Sequence, residues 1–164
     1  MRKTLWKLGL ATAALVLVSS GSAYAQATAN ASLTVTVNVA SRARLTLSTN
    51  TLTFADADPD TNPILNAPPL TVTVAARTSP SSTVTLTSTA ADFTSGGNTI
   101  GIANLSWAAP GVGFTSATAG ANVSMGSWAG PGLRSSTQTY SLVNSWSYAP
   151  GTYGTSVNYT LTVP

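Results

Sequence analysis

Val157-Asn158-Tyr159-Thr160-Leu161-Thr162-Val163, at the C-terminal end of the 164-residue chain, sets an apolar side chain at every second position and a polar one between. A period of two sends alternate side chains to opposite faces of an extended strand. The polar set includes Thr160 and Thr162, whose branched Cβ suits a pleated, solvent-facing surface. The stretch therefore predicts a half-buried antiparallel strand. The same alternation recurs at Leu33, Val35, Val37 and Val39, at Leu45 and Leu47, and at Leu52 and Phe54. It returns at Leu70, Val72 and Val74 and at Val84 and Leu86. Asp58-Pro59, Asn62-Pro63, Gly96-Gly97, Pro110-Gly111, Pro131-Gly132 and Pro150-Gly151 punctuate these runs with turn chemistry. Nothing after residue 25 carries a convincing 3.6-residue period. The expectation is an all-β protein, an antiparallel β-sandwich with immunoglobulin-like connections. A closed barrel is the competing architecture. An outer-membrane barrel would need at least eight strands of about ten residues with aromatic girdles, and most apolar runs here are shorter.

The N-terminus has a different grammar. Arg2, Lys3 and Lys7 precede an apolar run over residues 8–18, and Ala23-Tyr24-Ala25 follows a Ser/Gly stretch. This tripartite pattern predicts a secretory signal over residues 1–25, cut before Gln26. The apolar run is too short for a stable transmembrane anchor, although an uncleaved N-terminal anchor is the alternative. Residues 26–164 then form a single β-sandwich domain, long enough for a real core. Export implies a secreted protein at the surface or in the periplasm of a bacterium. The chain has no Cys, so no disulfide stabilises it and burial and strand pairing must.

Removing the signal changes the charge. The formal net charge of +3 rests on the three basic residues of the leader. Beyond it, Arg42, Arg44, Arg77 and Arg134 face Asp56, Asp58, Asp60 and Asp92. A neutral chain with scattered Arg and no Lys has no footprint for a nucleic-acid backbone. Low charge also leaves sheet edges poorly guarded against self-association.

Residues 26–164 contain no Cys, His, Lys or Glu. Ser–His–Asp, Cys–His and Ser–Lys chemistry is thereby excluded. A paired-carboxylate glycosidase would need two aspartates across a cleft, and three of the four sit in one short loop. The expectation is a protein that is not an enzyme. Two ligand sites remain to be weighed. Asp56, Asp58, Asp60 and Asn62 place oxygen donors at alternate positions, as a Ca²⁺ loop would. The loop lacks the Gly and Glu of an EF-hand, standing instead with Thr61 and Ala67 at those positions. It would bind Ca²⁺ only as an irregular loop that borrows backbone carbonyls and water, and a solvated Asp/Pro turn is the simpler reading. No other cofactor is implied. Trp107, Trp128 and Trp146 share a Ser-Trp, spacer, Pro-Gly form. Exposed in a row, they would make a stacking platform for sugar rings; turned inward, they would fill the core.

The two ends of the exported chain, residues 27–54 and 149–163, resemble the spore coat protein U family, the pilin-type domain of archaic chaperone–usher fibres. The likeness rests on the alternating segment Leu33 to Val39 ahead of Leu45-Thr46-Leu47, and on the Pro150-Gly151-Thr152-Tyr153 turn feeding a last strand. The usual cysteine of that family is replaced here by the stretch Ser41-Arg42-Ala43. The sequence also resembles, more weakly, the WxL cell-wall-binding domain through Tyr159-Thr160-Leu161, without its first Trp-x-Leu motif. The pilin resemblance implies a structural or adhesive fibre subunit that assembles by β-strand donation. Leu33, Val35, Val37 and Val39 would then be the donated side chains, and other subunits, a periplasmic chaperone and an usher the partners. The alternatives are that residues 33–39 form the first strand of a complete domain, or that the protein is a non-catalytic extracellular binding module for carbohydrate or Ca²⁺.

Overall fold

The computed structural model describes residues 28–164, so the expected signal peptide lies outside the described residues. Two compact units divide the chain, at Val37/Asn38. The described part of the first, residues 28–37, contains no helix or strand. Among the described residues, all the strands belong to the second.

Eleven strands follow in order: β1 (Arg42–Leu47), β2 (Ile64–Asn66), β3 (Leu70–Arg77), β4 (Thr83–Ala90), β5 (Phe93–Ser95), β6 (Asn98–Ile100), β7 (Leu105–Ala108), β8 (Ala117–Thr118), β9 (Val123–Ala129), β10 (Gly132–Val143) and β11 (Val157–Thr162). One sheet runs β1-β3-β10-β7-β8, with β2 also on β10. The other runs β11-β4-β9, and β5 and β6 form a separate hairpin. Every strand pairing is antiparallel. The result is the all-β, antiparallel sandwich that the alternation demands. Consecutive strands repeatedly cross between sheets, as β3 to β4 and β9 to β10 do, so neither sheet can form without the other.

The inward faces follow the period of two. Leu70, Val72 and Val74 of β3 and Val84 and Leu86 of β4 are buried, and Thr71, Thr73, Thr85 and Thr87 between them are only half-buried. Met125 of β9 and Tyr140 of β10 complete the centre. The longest strand, β10, has an inward face that is partly polar: Ser136 and Gln138 lie beside Tyr140 and Leu142, all buried. Its sequence, GLRSSTQTYSLV, carries too few apolar residues to announce a central strand.

Between β9 and β4 the register shifts at Leu86/Thr87, so Met125 stands opposite no partner. Beside this bulge Gly126 is pressed against Gly113; a Cβ at Gly126 would sit 2.5 Å from the Gly113 carbonyl oxygen. Only glycine permits that approach.

Candidate functional site

The sandwich has two seams where its sheets meet, and they are built differently. At the β8/β9 side, residues 113–115 bridge the gap. Thr115 N–H donates to Met125 O at 2.9 Å, Ser127 N–H donates to Gly113 O at 2.8 Å, and Phe114 pairs with Gly126. Phe114 also stacks on Trp128 at 5.7 Å between ring centroids. Backbone and apolar surface are both covered there.

At the other side, β1 pairs with β3 alone and β11 with β4 alone. Among the described residues, each strand thus presents one edge with no strand partner. The seam is pinned at one end, where Ser41 Oγ and Thr78 Oγ1 both donate to Pro164 O, at 3.3 and 2.7 Å. From there it opens into a groove of about 400 Å³ lined by Leu47, Leu52, Phe54, Leu70, Tyr140 and Val157, among others. Leu45, Leu47, Leu52, Phe54, Val157, Tyr159, Leu161 and Val163 all pack on the core but remain half-exposed. Residues 49–57 pass the groove in no strand. Half-covered apolar side chains thus lie between two strand edges that no described strand pairs.

The floor of the groove is a polar network. The hydroxyls of Tyr140 and Tyr159 hydrogen-bond to each other across the two sheets, and the Tyr140 hydroxyl donates to Gln138 Oε1 at 3.4 Å. Gln138 is fully buried, and its Nε2 has no hydrogen-bond partner. Burial first, then the neighbouring Tyr159, pushes the Tyr140 phenol far above its usual range. Burial raises Tyr159 too, partly offset by its hydrogen bond to Tyr140. Both phenols therefore stay neutral at physiological pH. Nothing in the residue pattern distinguished Tyr140 or Gln138 from the other polar residues of β10; only pairing with β3 and β7 turned that face inward.

Residues 33–39 are not the first strand of the sandwich, which starts at Arg42. Leu33, Val35, Val37 and Val39 are 86, 74, 76 and 63% exposed. The cleanest apolar alternation near the N-terminus thus stays largely exposed among the described residues.

The three tryptophans do not form a row. Trp107 and Trp128 are buried, for the physical reason that both stand on inward faces of sandwich strands, and only Trp146 is exposed, in a loop. Trp107 Nε1 donates to Thr115 O at 2.9 Å, and the Trp128 ring carries the Arg134 guanidinium at 5.3 Å. These two are core residues, which corrects the platform expectation. Trp146 Nε1 donates to Asp60 Oδ1 at 3.0 Å.

The acidic loop is committed to its own folding. Asp58 Oδ1 accepts Asp60 N–H at 2.9 Å, and Asn62 Nδ2 donates to Thr61 Oγ1 at 3.0 Å. Asn144 Nδ2 ties the loop to the end of β10 through Ala57 O and Asn62 O. Asp56, Asp58, Asp60 and Asn62 are all exposed. Among the described residues, no three His, Cys, Asp or Glu converge as metal ligands.

Fold and seam define an antiparallel β-sandwich with one side unsealed. No protein-family model matches the chain, and no curated protein matches it. Among solved structures, a family 123 glycoside hydrolase from Clostridium perfringens is similar at 16% identity and a TM-score of 0.35, over 60% of this chain. The match spans only 18% of that enzyme. A likeness of this degree shows neither family nor activity.

Proposed function

We propose that this protein is an exported, non-catalytic fibre or coat subunit of the bacterial surface that assembles by strand donation. The observation that carries the reading is a pair of complementary features in one chain. The seam between β1 and β11 offers an apolar groove and two unpaired edges, and residues 33–39 offer an unpaired apolar alternation of strand length. A strand added in the seam gains backbone hydrogen bonds from the edges and side-chain burial in the groove. Burying one exposed valine or leucine is worth about 1.5–3 kcal/mol, so four such side chains offset much of the roughly 1–2 kcal/mol per residue that ordering the segment costs, and hydrogen bonds from the two edges add to that gain. Before assembly the same groove needs cover, a role for a periplasmic chaperone, with an usher at the site of export. The basic leader and its Ala23-Tyr24-Ala25 site support export.

The test is self-association of the exported protein, by native electrophoresis and electron microscopy. Linear polymers are expected, lost in a Val35→Asp/Val37→Asp variant that still folds. A strictly monomeric parent protein overturns the reading.

A further inference from the structure

The eight charged side chains of residues 28–164 are sorted to opposite ends of the sandwich. Arg42 opens β1, Arg77 closes β3 and stands directly opposite it in register, and Arg44 lies two residues on. These three side chains share the outward face with Leu133 and line one shallow depression. Arg134 is at the same end, near the start of β10, which pairs there with the end of β3. Arg42 and Arg77 repel one another, because like charges directly opposite on neighbouring strands destabilise a sheet. No aspartate is at this end to relieve them. Asp56, Asp58 and Asp60 are held at the far end of β10 through Asn144. Asp92 follows β4, whose last residue pairs with the first of β11. The twelve residues of β10 separate the two ends by about 35 Å at roughly 3.3 Å per residue. Over several Debye lengths at physiological salt, the poles barely neutralise each other within one molecule.

The charge poles coincide with the two ends of the seam. The basic pole is where Ser41 and Pro164 pin the seam shut, and where the exposed alternating segment joins the sandwich. The acidic pole is where the groove opens, at Leu47 and Val157. We infer that the basic pole of one copy docks on the acidic pole of the next, orienting successive subunits head to tail and bringing the donated segment to the mouth of the groove. This rests on the strand-donation reading and names its partner surface, a second copy of this chain. The contact is heterologous, so it propagates into an open fibre rather than closing a dimer.

Polymerisation of the exported full chain, diluted from urea and followed by light scattering, tests this. Reversing one pole, as Arg42→Asp/Arg44→Asp/Arg77→Asp or as Asp56→Arg/Asp58→Arg/Asp60→Arg, is expected to slow assembly on the order of tenfold or more at low salt. An equimolar mixture of the two variants restores the parental rate, because alternating copies then meet with opposite charge. Salt at about 0.5 M slows the parent and erases the difference. Parental rates in both single variants, or no recovery in the mixture, overturn the inference. Should a reversal variant fail to fold by circular dichroism, Arg42→Gln/Arg44→Gln/Arg77→Gln and the salt dependence of the parent decide it. A salt-independent parent overturns it. The Val35→Asp/Val37→Asp variant separates the two ideas: if it polymerises as the parent does, strand donation fails, and if it does not while the charge variants are unaffected, only the polar docking fails.

Discussion

The two seams of one sandwich meet opposite fates. On the β8/β9 side, residues 113–115 hydrogen-bond to β9 and Phe114 covers Trp128. On the β1/β11 side residues 49–57 pass without forming a strand, Leu52 and Phe54 reach the core, and a row of apolar side chains stays half-exposed between two edges that no described strand pairs. Both seams present the same physical problem, unsatisfied backbone next to apolar surface. One is solved within the described chain, and we propose that the other is solved by a second molecule. The difference teaches that a short loop such as residues 113–115 is enough to cover a seam of this sandwich, so the half-exposed seam is the place where the proposed partner strand can be tested.

Five substitutions break or sharpen this contrast, each measured by urea unfolding of the monomeric protein. The largest effect is expected between the seams, at the fully buried Leu86. Leu86→Ala should cost about 2–5 kcal/mol, with its counterpart in the open seam, Leu161→Ala, costing clearly less because that site is half-exposed already. Equal losses at the two positions would show the open seam to be as tightly packed as the core.

Gly126→Ala attacks the closed seam, forcing a methyl group to within 2.5 Å of Gly113 O. A loss of about 1–3 kcal/mol is expected, together with new binding of a hydrophobic dye as residues 113–115 lift away. Unchanged stability would mean that the closure at Gly113 contributes little.

Tyr159→Phe removes the hydroxyl bridge beneath the open groove and is expected to cost about 1 kcal/mol. Its pH dependence is more telling. Both phenols have raised values in the fold, against an ordinary 10.0. The native state therefore holds protons that the unfolded chain releases above about pH 10. Stability from these groups is complete below that pH and declines as pH rises through the alkaline range. The parent should lose stability there more steeply than Tyr159→Phe; identical slopes would show that the Tyr159 phenol is not held neutral by the fold.

The smallest effect on the monomer is expected at Val37→Asp. Its side chain is 76% exposed, so unfolding should shift by no more than about 0.5 kcal/mol. A large loss would show that residues 33–39 already support the sandwich.

Much of the fold is legible in the alternation. Val72, Val74, Val84 and Leu86 fall inward, and Thr73 and Thr85 outward, by the period of two alone. β10 was not legible, because Ser136 and Gln138 are polar residues on its buried face. The open seam was not legible either. Leu161 and Val74 are the same kind of signal in the sequence, one at a strand edge and the other in the centre of a sheet. Residues 33–39 carry a clear strand pattern yet form no strand, since a pattern states only that a segment can bury one face. The tryptophans illustrate the same limit: Trp107 and Trp146 follow identical Ser-Trp steps, and one is buried while the other is exposed.

What the sequence by itself determined is the local grammar: β-branched alternation makes strands, Pro and Gly end them, and the absence of His, Cys, Lys and Glu from residues 26–164 removes most catalytic chemistry. Only the tertiary structure decided which edges stayed open and where the charges went. Strand order depends on pairings between residues far apart in the chain, and the energy of those pairings comes from packing two sheets together. Eight charges that look scattered along the sequence are sorted into two poles because Arg42, Arg77 and Arg134 stand at strand ends that the topology brings together.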